Sequence, residues 1–316
     1  MRRHTPAAIV AALALAGIAL AGCGSSDSNK PAAAATSSSE AATYPVTEDG
    51  TTLQARPTHI ISMSPTATDM LFAIGAGSQV IAVDKNSDYF GPTPPTTKPP
   101  ADIDAFQPNA ETIAARNPDL IVLSDDTNKI KEALVKLNIP VYTAPAATTI
   151  DDTYHQMTAL GALTGHVSGA AAAIAAEKKA ISDDVAKLKP RTDPLTYYYE
   201  LDQTYYSVTS KTFIGSLFTM AKMTNIADAG NASNAYPQLS AEVIIKANPD
   251  VIFLADTECC KQSDSTVAAR PGWSNVAAVQ HHQVVPIPDD VASQWGTRAP
   301  MLLDAIVTES NAAPTP

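Results

Sequence analysis

The stretch QPNAETIAARNPDLIVLSDD, residues Gln107–Asp126, recurs as QLSAEVIIKANPDVIFLADT at Gln238–Thr257. At this offset of 131 residues, ten of the twenty positions are identical, including an Ala-Glu pair and an Asn-Pro-Asp turn. Each copy predicts a helix, a tight turn and a buried strand. Because the period is far longer than that of solenoid repeats, the chain is predicted to contain two related α/β lobes.

The rest of the chain extends this pattern on both sides of the repeat. Short apolar strands at His59–Ser62, Val80–Val83 and Val141–Thr143 alternate with helices, and the alternation restarts at Thr196–Leu201. Such alternation predicts parallel sheets. Between the two halves, Val167–Lys189 has apolar residues at helical spacing, and its only breaker is an early glycine. One long helix is therefore predicted to connect the lobes and to make a stiff clamp.

The N-terminus has the pattern of an export signal. Arg2 and Arg3 precede an apolar run, Ala7–Ala21, that is too short to span a bilayer. The small residues before Cys23 resemble a lipobox, which predicts a lipidated cysteine; an ordinary signal is the alternative. We predict these segments: a lipoprotein signal peptide at 1–22, a disordered tether at 23–56, an N-terminal lobe at 57–165, a bridging helix at 166–190 and a C-terminal lobe at 191–311.

Composition and motifs exclude several functional classes. The formal net charge is −11, and removal of Arg2 and Arg3 makes it more negative, which argues against a nucleic-acid partner. The chain has no G-x-S-x-G, P-loop or H-E-x-x-H motif, so we predict that it is not an enzyme. Its histidines are scattered, so no metal site is predicted. Adjacent Cys259 and Cys260 form either two free thiols or a strained vicinal disulfide.

Four motifs together resemble one known family. THIISMSPTATDMLFAIGAG from Thr58, VDKNSDY from Val83, YPQLSAE from Tyr236 and VAARPGWSNVAAV from Val267 resemble the periplasmic binding proteins for ferric siderophores and cobalamin. The resemblance covers 57–307. It implies an α/β fold in which two Rossmann-like lobes with central parallel sheets are joined by one long α-helix, and a shallow ligand cleft between the lobes.

The resemblance also implies a function. A member of this family captures a solute and delivers it to the permease of an ABC importer, which implies no cofactor and a metal-containing complex as ligand: a ferric siderophore, haem or a corrinoid. We also predict a monomer, and the lipobox-like sequence before Cys23 predicts that it is extracytoplasmic and lipid-anchored to the bacterial cell membrane. A lipid-anchored sensor or interaction protein that kept the fold without transport is the alternative. The sequence does not discriminate among the ligands.

Site residues follow from the same resemblance. Glu111 and Glu242, one in each copy of the repeat, match the family's permease-docking glutamates, although a first-turn glutamate also stabilises a helix start. Ligand-binding aromatic residues are predicted in loops that follow strands, where such sheets bind ligands, with core packing as the alternative. They are Tyr89, Phe106, Tyr205, Tyr206, Tyr236 and Trp295. Arg298 matches a family position near the cleft, where a guanidinium could hold an anionic ligand or form a surface ion pair.

Overall fold

The computed structural model describes residues 43–88, 95–230 and 233–314. The N-terminal half contains the strands β1 (Val46–Glu48), β2 (Thr51–Leu53), β3 (Ile60–Ser62), β4 (Val80–Asp84), β5 (Ala101–Ile103), β6 (Leu120–Leu123) and β7 (Val141–Thr143). Its helices are α1 (Pro65–Ala73), α2 (Ala110–Ala114), α3 (Ile130–Lys136) and α4 (Ile150–Thr164).

Helix α5 (Val167–Ala186) leads to the C-terminal half. The strands there are β8 (Thr196–Glu200), β9 (Thr224–Asn225), β10 (Val251–Leu254) and β11 (Val284–Pro286). The helices are α6 (Phe213–Met220), α7 (Ala241–Ala247), α8 (Asp264–Ala268), α9 (Ala277–Gln280), α10 (Asp289–Ser293) and α11 (Ala299–Ala312). Short 3₁₀ turns lie at Gly77–Gln79, Thr127–Lys129, Ile226–Asp228 and Trp273–Asn275.

Each half of the described chain is built on one parallel sheet. The N-terminal sheet has the order β5-β4-β3-β6-β7, and the C-terminal sheet has the order β11-β10-β8-β9. Neighbouring strand residues such as Ile60 and Ile61 belong to apolar clusters on opposite faces of the first sheet. In the second sheet, the neighbouring residues Tyr197 and Tyr198 likewise belong to apolar clusters on opposite faces. Both faces are thus covered, as parallel sheets require, and the predicted fold class is confirmed.

The repeated sequence occupies equivalent places in the two sheets. One copy forms α2 and β6 and the other forms α7 and β10, and each strand pairs with the first strand of its lobe sheet, β3 or β8. Asn117 and Asn248 adopt left-handed backbone angles at the turn, with φ of 52° and 49°, a conformation that asparagine tolerates well. Asp119 accepts hydrogen bonds from the backbone of Thr58 and His59, and Asp250 accepts one from Thr196. The Asn-Pro-Asp turn therefore aligns two neighbouring strands in each lobe.

The predicted bridging helix is observed as α5, which ends at Ala186 rather than at Lys189. At 1.5 Å per residue it is about 30 Å long. It packs against α4 and also against α11 of the C-terminal lobe. A Cβ atom at Gly169 would collide with the carbonyl oxygen of Ile74, so the start of α5 lies directly on the end of α1. None of the helices in the described ranges is long and apolar enough to cross a membrane.

The predicted tether is wrong over residues 43–56, because β1 and β2 form an antiparallel hairpin on the N-terminal lobe. Leu53 is buried in the lobe core. The Tyr44 hydroxyl donates to the Leu163 carbonyl at 2.9 Å, and the Thr51 hydroxyl donates to the Val141 carbonyl at 2.9 Å. The hairpin has few apolar side chains, but these pack on the surface of the N-terminal lobe. The amino-acid composition of the segment does not reveal that surface. Residues 23–42 lie outside the described residues.

Candidate functional site

A cavity of about 420 Å³ lies where the two lobes meet. Its lining residues from the N-terminal lobe follow the carboxyl ends of β3, β4, β5 and β6, and two more come from the segment between α10 and α11. They are Met63, Ser64, Pro65, Thr66, Asp84, Asn86, Ala105, Phe106, Ser124, Asp125, Thr127, Gln294 and Trp295. We call this space the cleft cavity. It lies at the carboxyl ends of the strands, where parallel sheets bind ligands.

A second cavity of about 510 Å³ lies beside the hairpin, at the end of β7. Its lining comes from the N-terminal lobe, and includes Asp49, Tyr142 and His155. The His155 imidazole lies 3.0 Å from the Asp49 carboxylate, so the hairpin turn forms one wall. Although this cavity is larger, the cleft cavity is the better candidate, because it collects the ends of four strands and residues from both lobes.

The residues 294–298, which we call the crossing segment, bring the C-terminal lobe onto the N-terminal lobe. The Trp295 indole nitrogen donates to the Gln156 side-chain oxygen on α4 at 3.0 Å, and the ring packs against the apolar clusters of both lobes. Gly296 has φ of 100°, and a Cβ there would lie 3.0 Å from side-chain atoms of Met70 and Thr66. The crossing segment therefore forms a second contact between the lobes, beside the covalent connection through α5.

Arg298 does not present its guanidinium to the cleft, so the prediction that it holds an anionic ligand is wrong. The side chain is 1% exposed and pairs with three carboxylates: Asp69 at 2.8 Å, Asp88 at 2.9 Å and Asp290. Asp69 lies on α1, Asp88 follows β4 and Asp290 lies on α10, so one arginine holds both lobes together. Burial raises the pKa of Asp69 to about 7, against the opposing effect of Arg298.

Three of the predicted aromatic residues have exposed rings. Phe106 is 71% exposed at the edge of the cleft cavity, while Tyr206 and Tyr236 are 41% and 52% exposed on the C-terminal lobe. Trp295 is half-buried within the cleft-cavity lining. The structure thus brings Phe106 and Trp295 to one cavity and places Tyr206 and Tyr236 outside its lining. Tyr89 lies outside the described residues.

Tyr205 is half-buried and packs within the C-terminal lobe, and its role as a ligand contact stays a prediction. Its ring stacks on Trp273 with centroids 5.8 Å apart, and the Arg270 guanidinium lies over both rings. Arg270 in turn donates to both carboxylate oxygens of the fully buried Glu200 at 2.6 Å. Sequence reasoning missed this cluster, because its members are spread over some 70 residues and meet only in the folded lobe.

Glu111 and Glu242 are both exposed in the first turns of α2 and α7. The helix caps are supplied by other side chains, since Asn109 accepts from the Thr112 amide at 2.9 Å and Ser240 accepts from the Val243 amide at 3.3 Å. A hydrogen bond with the Ser240 side chain lowers the pKa of Glu242, so this glutamate is ionised at neutral pH. Neither glutamate is needed as the N-cap of its helix.

Two cysteines of the described chain lie outside the lining of the cleft cavity. Cys259 and Cys260 are free thiols, and a hydrogen bond with Cys260 raises the pKa of Cys259 to about 12. Cys259 is therefore protonated at neutral pH and is a weak nucleophile. Within the described ranges, no three His, Cys, Asp or Glu side chains are grouped so that they could hold a metal ion. Cys23 lies outside the described residues.

The sequence profile of the periplasmic binding protein family matches residues 60–291. The chain belongs to this family. The family assignment confirms the resemblance seen in the four sequence motifs. Its curated relatives are binding proteins, and this periplasmic binding protein is not an enzyme.

Two relatives and one solved structure illustrate the similarity. The ABC transporter substrate-binding lipoprotein YvrC of Bacillus subtilis is 28% identical over 309 residues, covering 92% of this chain and 93% of YvrC. A cobalamin-binding protein of Halobacterium salinarum is 30% identical over 259 residues, covering 78% of this chain and 68% of that protein. The periplasmic heme-binding protein HutB of Vibrio cholerae superposes with a TM-score of 0.70 at 20% identity, covering 79% of this chain and 98% of HutB. At 20% identity, the similarity to HutB shows a shared fold only.

Proposed function

We propose that this periplasmic binding protein captures an iron complex or a corrinoid and delivers it to the permease of an ABC importer. The observation that carries the proposal is the cleft cavity, which lies at the strand ends of one lobe and is bordered by the crossing segment of the other. Its aromatic residues, Phe106 and Trp295, offer flat apolar surface, which suits a corrin, a porphyrin or a siderophore complex. The names of YvrC and of the cobalamin-binding relative support the same class of function.

A direct binding experiment tests this proposal. Cyanocobalamin, haemin, ferric citrate and a ferric hydroxamate all absorb visible light, so each should quench the fluorescence of Trp295 on binding. Phe106→Ala should weaken binding of the true ligand about 2- to 10-fold, since one aromatic contact contributes about 0.5–1.5 kcal/mol. Leu137→Ala is the matched control, because Leu137 is also exposed but follows α3 at the opposite edge of the sheet. If none of the four compounds binds, the proposed function is wrong.

We further propose that Glu111 and Glu242 dock onto basic residues of the permease. One exposed carboxylate in each lobe, at equivalent places in the repeat, supports this role. The equivalence is not a requirement of helix capping, because Asn109 and Ser240 already cap these helices. Glutamate side chains at two separated points could fix both the position and the orientation of the protein on its partner.

The double variant Glu111→Gln/Glu242→Gln should transport less ligand while retaining ligand affinity. Each exposed ion pair contributes about 0.2–1 kcal/mol, so a single change should be nearly silent and the double change should reduce uptake several-fold. Uptake of labelled ligand and fluorescence titration, measured on the same variants, separate the two effects.

Glu132→Gln is the control for docking, since Glu132 is an exposed first-turn glutamate outside the repeat. Its uptake should equal that of the wild type. Normal uptake by the double variant would restrict Glu111 and Glu242 to a structural role at the helix starts.

The anchor is proposed from sequence alone. The apolar run before Cys23 and the small residues that precede it support lipid attachment at this cysteine. The name of YvrC, which matches over most of both chains, describes a lipoprotein. A lipid at Cys23 and the following residues would keep the binding protein at the outer face of the cell membrane, close to its permease.

A further inference from the structure

We infer that the cleft cavity selects neutral or cationic complexes and discriminates against anionic ones; this inference rests on the proposed function. Its described lining includes two acidic residues, the exposed Asp125 and the buried Asp84, whose carboxylate accepts from the Asn86 and Ala105 amides, and it contains no lysine, arginine or histidine. An anionic ligand would therefore enter the cavity without an opposing charge on its walls.

The arginine beside the cleft cavity cannot supply that charge. Arg298 is 1% exposed and is shared by Asp69, Asp88 and Asp290. Even with Asp69 protonated, one guanidinium and two carboxylates leave a net negative cluster. The Asp88 and Asp290 side chains are 63% and 34% exposed, whereas that of Arg298 is 1% exposed. An approaching ligand therefore meets the two carboxylates before it meets the guanidinium.

Two cations close to the strand ends, Lys85 and Arg270, are also paired with carboxylates. Lys85 contacts Asp104 at 2.7 Å, and Arg270 is held by Glu200 through two hydrogen bonds of 2.6 Å. Redirecting either cation to a ligand would leave its carboxylate unpaired, and in the case of Glu200 that carboxylate is fully buried. Breaking such a buried pair is strongly unfavourable.

The neutral groups of the cleft cavity are suited to uncharged polar ligands. Asn86, Gln294 and the Ser64 hydroxyl can donate or accept hydrogen bonds, and Asp125 can accept from an amide or ammonium group. A corrinoid carrying amides, or a hydroxamate complex with an amine, matches this set. A ligand bearing several carboxylates would face like charges in a partly dehydrated space, where the interaction is stronger than in water.

Matched ligand pairs test the inference with the full-length mature protein. Cyanocobalamin is compared with its monocarboxylate derivative, in which one side-chain amide is hydrolysed, and ferrioxamine B is compared with its N-succinyl derivative. Shape is nearly retained in the first pair, while charge changes in both. Each added negative charge should weaken binding about tenfold at low salt, and the difference should shrink as salt rises.

Asp125→Asn should reduce the discrimination within a pair by several-fold. The asparagine oxygen can still accept from the Thr127 amide, as Asp125 does at 2.8 Å. Asp183→Asn is the control, because it removes the same charge from the exposed face of α5, where Asp183 pairs with Lys179. That control should leave the discrimination unchanged.

The outcomes separate this inference from the proposed function. Equal or tighter binding of the anionic member of each pair overturns the charge selection, as does binding of haemin or ferric citrate with no binding of the neutral and cationic compounds. In both cases solute capture stands. Failure of every compound to bind overturns the proposed function together with the inference.

Discussion

Arg298→Met should destabilise the folded protein by about 3–5 kcal/mol, the range expected when one partner of a buried ion pair is removed. Asp69, whose side chain is 2% exposed, would remain inside the lobe junction without its guanidinium. One of its carboxylate oxygens already has no hydrogen-bond partner in the described chain. Urea unfolding followed by circular dichroism gives the free energy of unfolding.

A double variant shows whether the unpaired carboxylate is the cause. Arg298→Met/Asp69→Leu replaces both partners by apolar side chains and should recover most of the loss, since apolar replacement of a buried pair is often nearly neutral. Arg116→Met is the surface control, because Arg116 contacts Asp102 at a similar distance, 2.7 Å, but is partly exposed. It should cost about 1 kcal/mol or less. Equal costs for Arg298→Met and Arg116→Met would contradict the interlobe role of Arg298.

Glu177 on α5 should contribute a decrease in the free energy of unfolding as pH rises from about 4.5 to 8. This side chain is 6% exposed, and neither carboxylate oxygen has a hydrogen-bond partner in the described chain. Burial raises its pKa from 4.5 to about 8. A folded-state pKa above the unfolded value means that the folded protein binds the proton more tightly, so stability is highest below the unfolded pKa and declines up to the folded one.

Glu177→Gln should abolish this part of the pH dependence. At 1.36 kcal/mol per pKa unit, the variant should be more stable than the wild type by at most about 5 kcal/mol at pH 8.5, and nearly equal to it at pH 4.5. Urea unfolding at pH 4.5, 6.5 and 8.5 measures the difference. Glu132→Gln makes the same chemical change at an exposed position and should leave the slope unaltered. If the curves of wild type and Glu177→Gln run parallel, Glu177 is not the titrating group.

The fold could be predicted to a large extent from local sequence. The repeat predicted two lobes because helix, turn and buried strand each have a short-range signature, and its identical residues have local roles. Asn117 and Asn248 adopt the left-handed turn, and Asp119 and Asp250 bind the next strand. The helix α5 was likewise predictable, since apolar spacing over twenty residues needs no knowledge of the partner surface.

The candidate site was predictable in part. Phe106 and Trp295 were predicted as ligand-binding residues in loops that follow strands, and the structure brings both to one cavity. Glu111 and Glu242 were selected from the matched copies of the repeat, and their role in docking stays a prediction. The positions of Tyr206 and Tyr236 relative to the cleft cavity could not be foreseen, because the order of residues along a loop does not specify its path.

Other features were decided only by the tertiary structure. Arg298 carries the same charge whether it faces a ligand or three carboxylates, and its partners Asp69 and Asp88 lie more than 200 residues away in the chain. Tyr205 has the same ring whether it stacks on a ligand or on Trp273. By itself, the sequence determined the elements, the two lobes and the family. Packing between distant segments decided which charges are neutralised and which rings remain exposed, because burial and pairing depend on neighbours that only the folded chain supplies.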